Sequence, residues 1–270
     1  MRGLSKTSIT TLIFGYAFLY LPILMVIIFS FNESRLVTVW SRFSTKWYKA
    51  LWSNEGLFDA VLASFKIASM TATISVVLGT LAAVIMVRFV HFKGRTLFSG
   101  LISAPLVMPD VITGLAVLMM FVTFEQLIGW PAHRGILTIT IAHITLAMAY
   151  VYLVVQARLQ DFDRSIEEAA LDLGARPLKV FFVIVLPLIL PSLLAGWLLA
   201  FALSLDDVVI ASFLSGPGAT TLPMLIFSQI RFGVSPVINA LATIIVGILA
   251  MGVMAAGMII HHQQKKNKNA

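Results

Sequence analysis

Cysteine is absent from the 270 residues, which excludes a disulfide framework, thiolate chemistry and any cysteine-based metal site. Charge is scarce as well. Only 11% of the residues are Asp, Glu, Lys or Arg, against about 25% in an average soluble domain. With 59% hydrophobic residues and a mean hydropathy of +0.97, the chain reads as an integral membrane protein. The sequence also lacks the G-x-x-x-x-G-K-[ST] phosphate loop, so any nucleotide chemistry must be supplied by another polypeptide and this chain is expected to be non-catalytic. No metal-ligand spacing is present.

What the sequence has in abundance is long apolar runs. Six of them approach or exceed the roughly 20 residues that a helix needs to cross a bilayer: 9–31, 60–87, 97–124, 136–155, 185–214 and 236–260. Their continuity excludes a β-barrel, whose strands alternate over about 10 residues. The first run is longer than the apolar region of a signal peptide, about 7 to 15 residues, and no small-x-small cleavage site follows Phe31, so it is expected to be an uncleaved span. Six spans put both termini on one side, and the Lys and Arg residues choose which. Twelve fall on the terminal side, including Arg88, Arg95, Arg158, Arg164 and Lys265, against six opposite, so both termini are expected in the cytoplasm. The net charge of +7 follows from that topology and not from nucleic-acid binding.

The connections carry the local signals. The longest external one, 32–59, holds Trp40, Trp47, Tyr48 and Trp52 at spacings that suit a short interfacial helix, either as an aromatic belt or as a docking surface for an external partner. In the third run, APLVMPDVITG (104–114) sets Pro109 beside Asp110. Proline lacks an N–H and crowds the preceding turn, so the helix should kink or break there. Irregular backbone at membrane depth belongs where it is buried in protein or lines a wet cavity, and Asp110 either serves such a pathway or caps the restarted helix. The stretch 158–187 contains five of the twelve acidic residues and reads as a cytoplasmic helix–turn–helix. Ser165 and Glu168 fit a capping box, Gly174 suits a left-handed helix end, and Pro177 suits the first residue of a second helix.

Within that stretch Glu168, Ala169, Ala170, Gly174, Ile184, Leu186 and Pro187 fill every position of the pattern E-A-A, three residues, G, nine residues, I-x-L-P. This resembles the EAA motif of the membrane subunits of binding-protein-dependent ABC importers. The resemblance implies that the hairpin docks into a cleft on an ATP-hydrolysing subunit. Physically, Ala169 and Ala170 keep one face small for close approach, and Gly174 permits a sharp corner. A rigid element joined to span five through Leu186 and Pro187 can turn motion of the partner into tilting of that span. The stretches 105–114, 196–223 and 238–244 are similar to the polyamine branch of the family, with the smaller permease subunits of putrescine importers nearest and the spermidine/putrescine permeases close behind. The likeness is weakest at 32–59 and at the C-terminus.

The resemblance implies an all-α integral membrane fold of the type I ABC importer (MetI-like) kind, one permease domain over 1–270 with its coupling loop at 157–184. It implies a second homologous permease subunit, two ATP-binding cassette subunits and a periplasmic polyamine-binding protein, in a bacterial inner membrane and without nucleic acid. It also implies that this chain binds no cofactor, ATP being used by a partner subunit.

The sharpest anomaly is LSLDDVVIASF (203–213), where two acids interrupt an apolar run. An Asp at the bilayer centre costs roughly 2.5–3.5 kcal/mol, so Asp110, Asp206 and Asp207 need a compensating role. A rise of 1.5 Å per residue puts Asp207 about 24 Å beyond Pro191 and Asp110 about 20 Å beyond Leu97, depths an outer cavity can reach. These three are the candidate substrate pathway, because carboxylates suit the cationic ends of a polyamine. Trp197 and Phe201, one turn apart, either add cation–π faces or simply pack. Adjacent helical residues differ by about 100°, so in a regular helix at most one of the pair faces a narrow pore. The stripe of Asp207 includes Gly196 and Ala200, which suits close helix packing. An ion pair, most naturally with Lys66, is the competing role for the two acids. His143 reads as a hydrogen-bonded packing residue, and His261 and His262 as part of a solvated tail. The alternative functions are import of another small solute and secondary cation transport, the latter having no use for a complete EAA frame.

Overall fold

A computed structural model describes residues 5–36, 39–232, 235–248, 250, 251 and 254. Arg2, His261, His262, Lys265, Lys266, Lys268 and the end of the sixth apolar run lie outside the described residues. The described residues are helical almost throughout, and their extended pairing is an isolated bridge between Asn32 and Phe43. In chain order the helices are α1 (Lys6–Ser30), α2 (Lys46–Trp52), α3 (Glu55–Arg88), α4 (Arg95–Val107), α5 (Asp110–Ile128) and α6 (Ile136–Gln160). They continue with α7 (Ser165–Asp172), α8 (Pro177–Val180), a π-helical turn (Phe181–Val185), α9 (Leu186–Asp206), α10 (Val209–Leu214), α11 (Leu222–Phe232) and α12 (Pro236–Ile248).

Five stretches are long and apolar enough to cross a membrane: Thr7–Ser30, Glu55–Arg88, Asp110–Ile128, Ile136–Gln160 and Pro177–Asp206. Two of the predicted spans are broken. The third run is α4 and α5, separated at Met108, whose extended backbone (ψ 132°) is the conformation a following proline imposes. The fifth run, expected to be one helix over 185–214, starts earlier and ends sooner. Its helix stops at Asp206, Asp207 is extended (ψ 130°), and α10 restarts at Val209. The two acids therefore end a helix and do not sit inside one.

The chain divides into two compact units, one of Asp59–Leu225 and one of the described residues of Met1–Phe58 and Ile226–Ala270. In the larger unit helices approach through small residues. Ala68, Ala72, Ser75, Gly79, Ala82 and Ala83 form a buried stripe along α3. A Cβ at Gly79 would come within 2.9 Å of the Val151 side chain and 3.0 Å of the Met148 carbonyl oxygen, and one at Gly196 of α9 would lie 3.4 Å from Val151. Val151 of α6 is thus wedged against glycines of two helices, the close packing that membrane bundles use in place of a hydrophobic driving force. One apolar cluster, including Met86, Val155, Leu159 and Val185, fills the Arg88 end of this unit. A second, including Phe121, Ile139, Ile210 and Leu214, fills the opposite end.

In the smaller unit the aromatic residues of 32–59 fasten α2 to the end of α1. The Trp47 indole Nε1 donates to the Asn32 carbonyl at 2.6 Å, the Tyr48 and Ser30 hydroxyls share a hydrogen bond of 2.7 Å, and Phe31 stacks on Phe43. Trp52 is left exposed.

Candidate functional site

The two helix breaks are neighbours. α5 and α10 pack against each other, and a Cβ at Gly114 of α5 would lie 2.8 Å from the Phe213 ring and 3.4 Å from the Ile210 Cα. Gly114 is one turn past Asp110, and Ile210 is one turn past Asp207. Each break therefore lies about one helical turn from the same contact, which brings the three acids to one region of the larger unit.

Asp207 is committed to holding its break. Its carboxylate accepts the main-chain N–H of Ala211 at 2.8 Å and of Ile210 at 3.3 Å, closing the first turn of α10. It also meets His143 Nε2 of α6 at 3.1 Å, while His143 Nδ1 lies 2.7 Å from the Ser204 hydroxyl of α9. A carboxylate can only accept, so His143 Nε2 donates to Asp207, and Nδ1 and the Ser204 hydroxyl share the second hydrogen bond. The side chains of His143 and Asp207 are 3% and 11% exposed. Leu146, Ala147, Leu203 and Ile210 stand around them and leave a cavity of ≈ 10 Å³, room for about one water-sized sphere.

Asp206 takes the other direction. It is exposed, as are Asp110 and Lys66, and among the described residues none of the three has an ion-pair partner. The alternative role, an ion pair with Lys66, is therefore not formed among the described residues; Asp207 has His143 in its place. Asp110 is the first residue of α5 and makes no capping hydrogen bond, so its charge faces outward at a helix N-terminus. Trp197 and Phe201 are half-buried and stack at 5.1 Å, Phe201 touches Phe65 of α3, and the Trp197 Nε1 donates to the Thr73 hydroxyl at 3.1 Å. These aromatics tie α9 to α3.

The hairpin between α6 and α9 has a form set by its sequence, with one correction. The capping box expected from Ser165 and Glu168 is not made. Ser165 is already the first helical residue, and the carboxylate of Asp163 accepts its N–H at 3.0 Å. That hydrogen bond, with one from the Ser165 hydroxyl, holds the Asp163 carboxyl below the usual range. At the other end of α7 the Ala175 N–H reaches the Ala170 carbonyl at 3.1 Å and the Gly174 N–H reaches Leu171 at 2.9 Å, a Schellman closure. Gly174 has φ +84°, a region that costs an L-residue about 1–2 kcal/mol.

Glu168 and Ala169 are exposed and Ala170 is partly buried; Leu173 beside them is 90% exposed. After α8 the chain runs without interruption through the π turn into α9, so Pro177–Asp206 is one rod. Pro187 has no N–H to give the Val183 carbonyl and crowds it, and the wide turn over Phe181–Val185 absorbs that misfit. Leu186 packs on the core and Pro187 is exposed. Sequence reasoning missed Glu167, which is buried and makes a two-pronged ion pair with Arg88 at the end of α3. It also missed His143 as the partner of Asp207.

The family model of the binding-protein-dependent transport system inner membrane component matches residues 75–264. The chain is 58% identical over 250 residues to the putrescine transport system permease protein PotI of Escherichia coli (strain K12), covering 93% of this chain and 88% of that protein. It is 38% identical over 267 residues to the spermidine/putrescine transport system permease protein PotC of the same organism, covering 99% and 96%. In fold it is similar to a chain of a bacterial ABC transporter involved in the import of the acidic polysaccharide alginate, with a TM-score of 0.72 at 17% identity over 92% of each chain.

Proposed function

The chain belongs to the inner membrane components of binding-protein-dependent transport systems, and on that premise we propose that it is the subunit through which an ATP-driven importer passes polyamines into the cytoplasm, putrescine before spermidine. As a member of that family it is a non-catalytic permease of all-α, MetI-like fold that works with an ATPase and a solute-binding protein. The proposed assembly adds a second homologous permease chain, two ATP-hydrolysing subunits that seat the coupling hairpins, and a periplasmic polyamine-binding protein. Both termini face the cytoplasm, and ATP is bound by the partner subunits alone.

The observation that carries the substrate is the likeness to a putrescine permease over nearly the whole chain. Geometry supports it. Exposed, unpaired carboxylates at two packed helix breaks offer what an ammonium group leaving water needs, charge-assisted acceptors at membrane depth. Asp110 and Asp206 take this role, and Asp207 with His143 fixes the break that presents Asp206. Import needs such sites to bind a cation firmly enough to admit it and weakly enough to release it. Because Pro177–Asp206 is one rod, motion of the hairpin at one end is delivered to Asp206 at the other.

The test is uptake of labelled putrescine by cells that lack other polyamine importers and express the complete transporter. Excess unlabelled putrescine should abolish uptake, spermidine should compete less well, and neutral amino acids or sugars should not compete. Uptake of a different solute, untouched by putrescine, would overturn the polyamine reading.

A further inference from the structure

We propose that Arg88 and Glu167 form a second joint of the coupling hairpin, through which the ATPase drives α3 together with α9; the proposal rests on the importer reading above. The joint to α9 is covalent, the rod Pro177–Asp206. The joint to α3 is made of side chains. Glu167 on α7 is buried and holds both Nη atoms of Arg88, the last residue of α3. Arg164, at the start of α7, donates to the Val87 carbonyl at 2.9 Å. Arg95, at the start of α4, donates to the Met86 carbonyl at 3.2 Å and also to the Val90 carbonyl. The final carbonyls of a helix have no partner within it, and here guanidinium groups from the hairpin and from α4 take them up. The cytoplasmic end of α3 is therefore gripped by both neighbours.

Three features make this a transmission element and not a surface ion pair. Both prongs of the Arg88–Glu167 pair are engaged, which fixes the angle of α7 against α3 as well as its distance. Glu167 is buried, so parting the pair would strand a charge. Its neighbours Glu168 and Ala169 are exposed, so one short helix turns its motif face outward and its Glu167 face to the bundle. At membrane depth α3 and α9 are tied again by Trp197 and Thr73. A push on the hairpin then moves both helices as one body.

The experiment uses the complete complex in proteoliposomes, with and without solute-loaded binding protein. Arg88→Glu and Glu167→Arg are each expected to lower ATP-driven import about 10-fold or more, the scale of a lost coupling free energy, and to abolish stimulation of ATP hydrolysis by binding protein. The double variant R88E/E167R is expected to recover import to within about threefold of wild type, the inverted pair regaining most of that coupling energy. Because the chain has no cysteine, R88C/E167C can be bridged with a short bismaleimide, the unaltered chain serving as control. Bridging should restore import if the joint stays closed through the cycle. Single variants that assemble with the ATPase and import at the wild-type rate would overturn the proposal, as would a double swap or a bridge that restores nothing. Wild-type complex that hydrolyses ATP under binding-protein stimulation but does not import putrescine would instead contradict the substrate reading and leave this test readable through the stimulation.

Discussion

Asp206→Asn is expected to lower ATP-driven putrescine uptake about 10- to 100-fold, while the amount of chain in the membrane and its thermal stability stay at wild-type levels. The size follows from one contact. A hydrogen bond to a charged group contributes about 1.5–3 kcal/mol, and each 1.4 kcal/mol is about tenfold. The neutral amide keeps the shape and an acceptor but gives up the opposite charge an ammonium needs where water is scarce. Stability should not move, because Asp206 is exposed and has no ion-pair partner among the described residues. Asp206→Glu, which keeps the charge at a longer reach, should lose less than Asn. Initial uptake rates against solute concentration, with quantitative immunoblots of the membranes, separate the two effects. Wild-type uptake by both Asp206→Asn and Asp110→Asn would sink the cation pathway.

Asp207 should behave in the opposite way. Asp207→Ala is expected to deplete the inserted, assembled chain and to lower the unfolding temperature of the detergent-solubilised complex sharply. It strips acceptors from His143 and from the N–H groups of Ile210 and Ala211 at once. A buried polar group left without a partner costs about 1–3 kcal/mol, so the total loss is about 3 kcal/mol or more. Asp207→Asn should be far milder. The amide oxygen can still accept from Ala211, and its NH₂ can donate to His143 once the imidazole proton moves to Nδ1, where it meets the Ser204 hydroxyl. Adjacent acids with opposite signatures, one sensitive to Asn in uptake and the other to Ala in stability, are what the geometry demands. Equal loss of uptake in D206N and D207N at equal stability would contradict it.

Much of this was legible from the sequence, for identifiable reasons. The break at Met108–Pro109 announces itself because proline cannot join the helix ladder. The hairpin was legible because Gly174 and Pro177 have strong local preferences. The break after Asp206 has no such mark, since neither proline nor glycine stands there and hydropathy runs straight through VVIASF. The signal available was Asp207 itself, a residue of the capping type standing two positions before a short apolar helix whose first amides it accepts. In a regular helix two neighbours cannot both face one pore; this helix ends between them, at Asp206. The partners of Asp207 and Arg88 lie 64 and 79 residues away, and no local pattern encodes such pairs. The mistaken capping box shows the converse limit. Asp163 and Ser165 both suit a cap, yet Ser165 is drawn into the helix, Arg164 stands at the cap position, and Asp163 accepts the Ser165 N–H.

On the proposed function, ATP acting through the hairpin drives a polyamine past this chain. The most direct measurement of this is putrescine accumulation in proteoliposomes of the purified complete complex, with binding protein and labelled putrescine outside and ATP in the lumen. Accumulation against a gradient is expected, needing both ATP and binding protein, indifferent to collapse of the proton gradient, and lowered about 10- to 100-fold in D206N. Accumulation that persists without ATP and vanishes when the proton gradient is collapsed would contradict it.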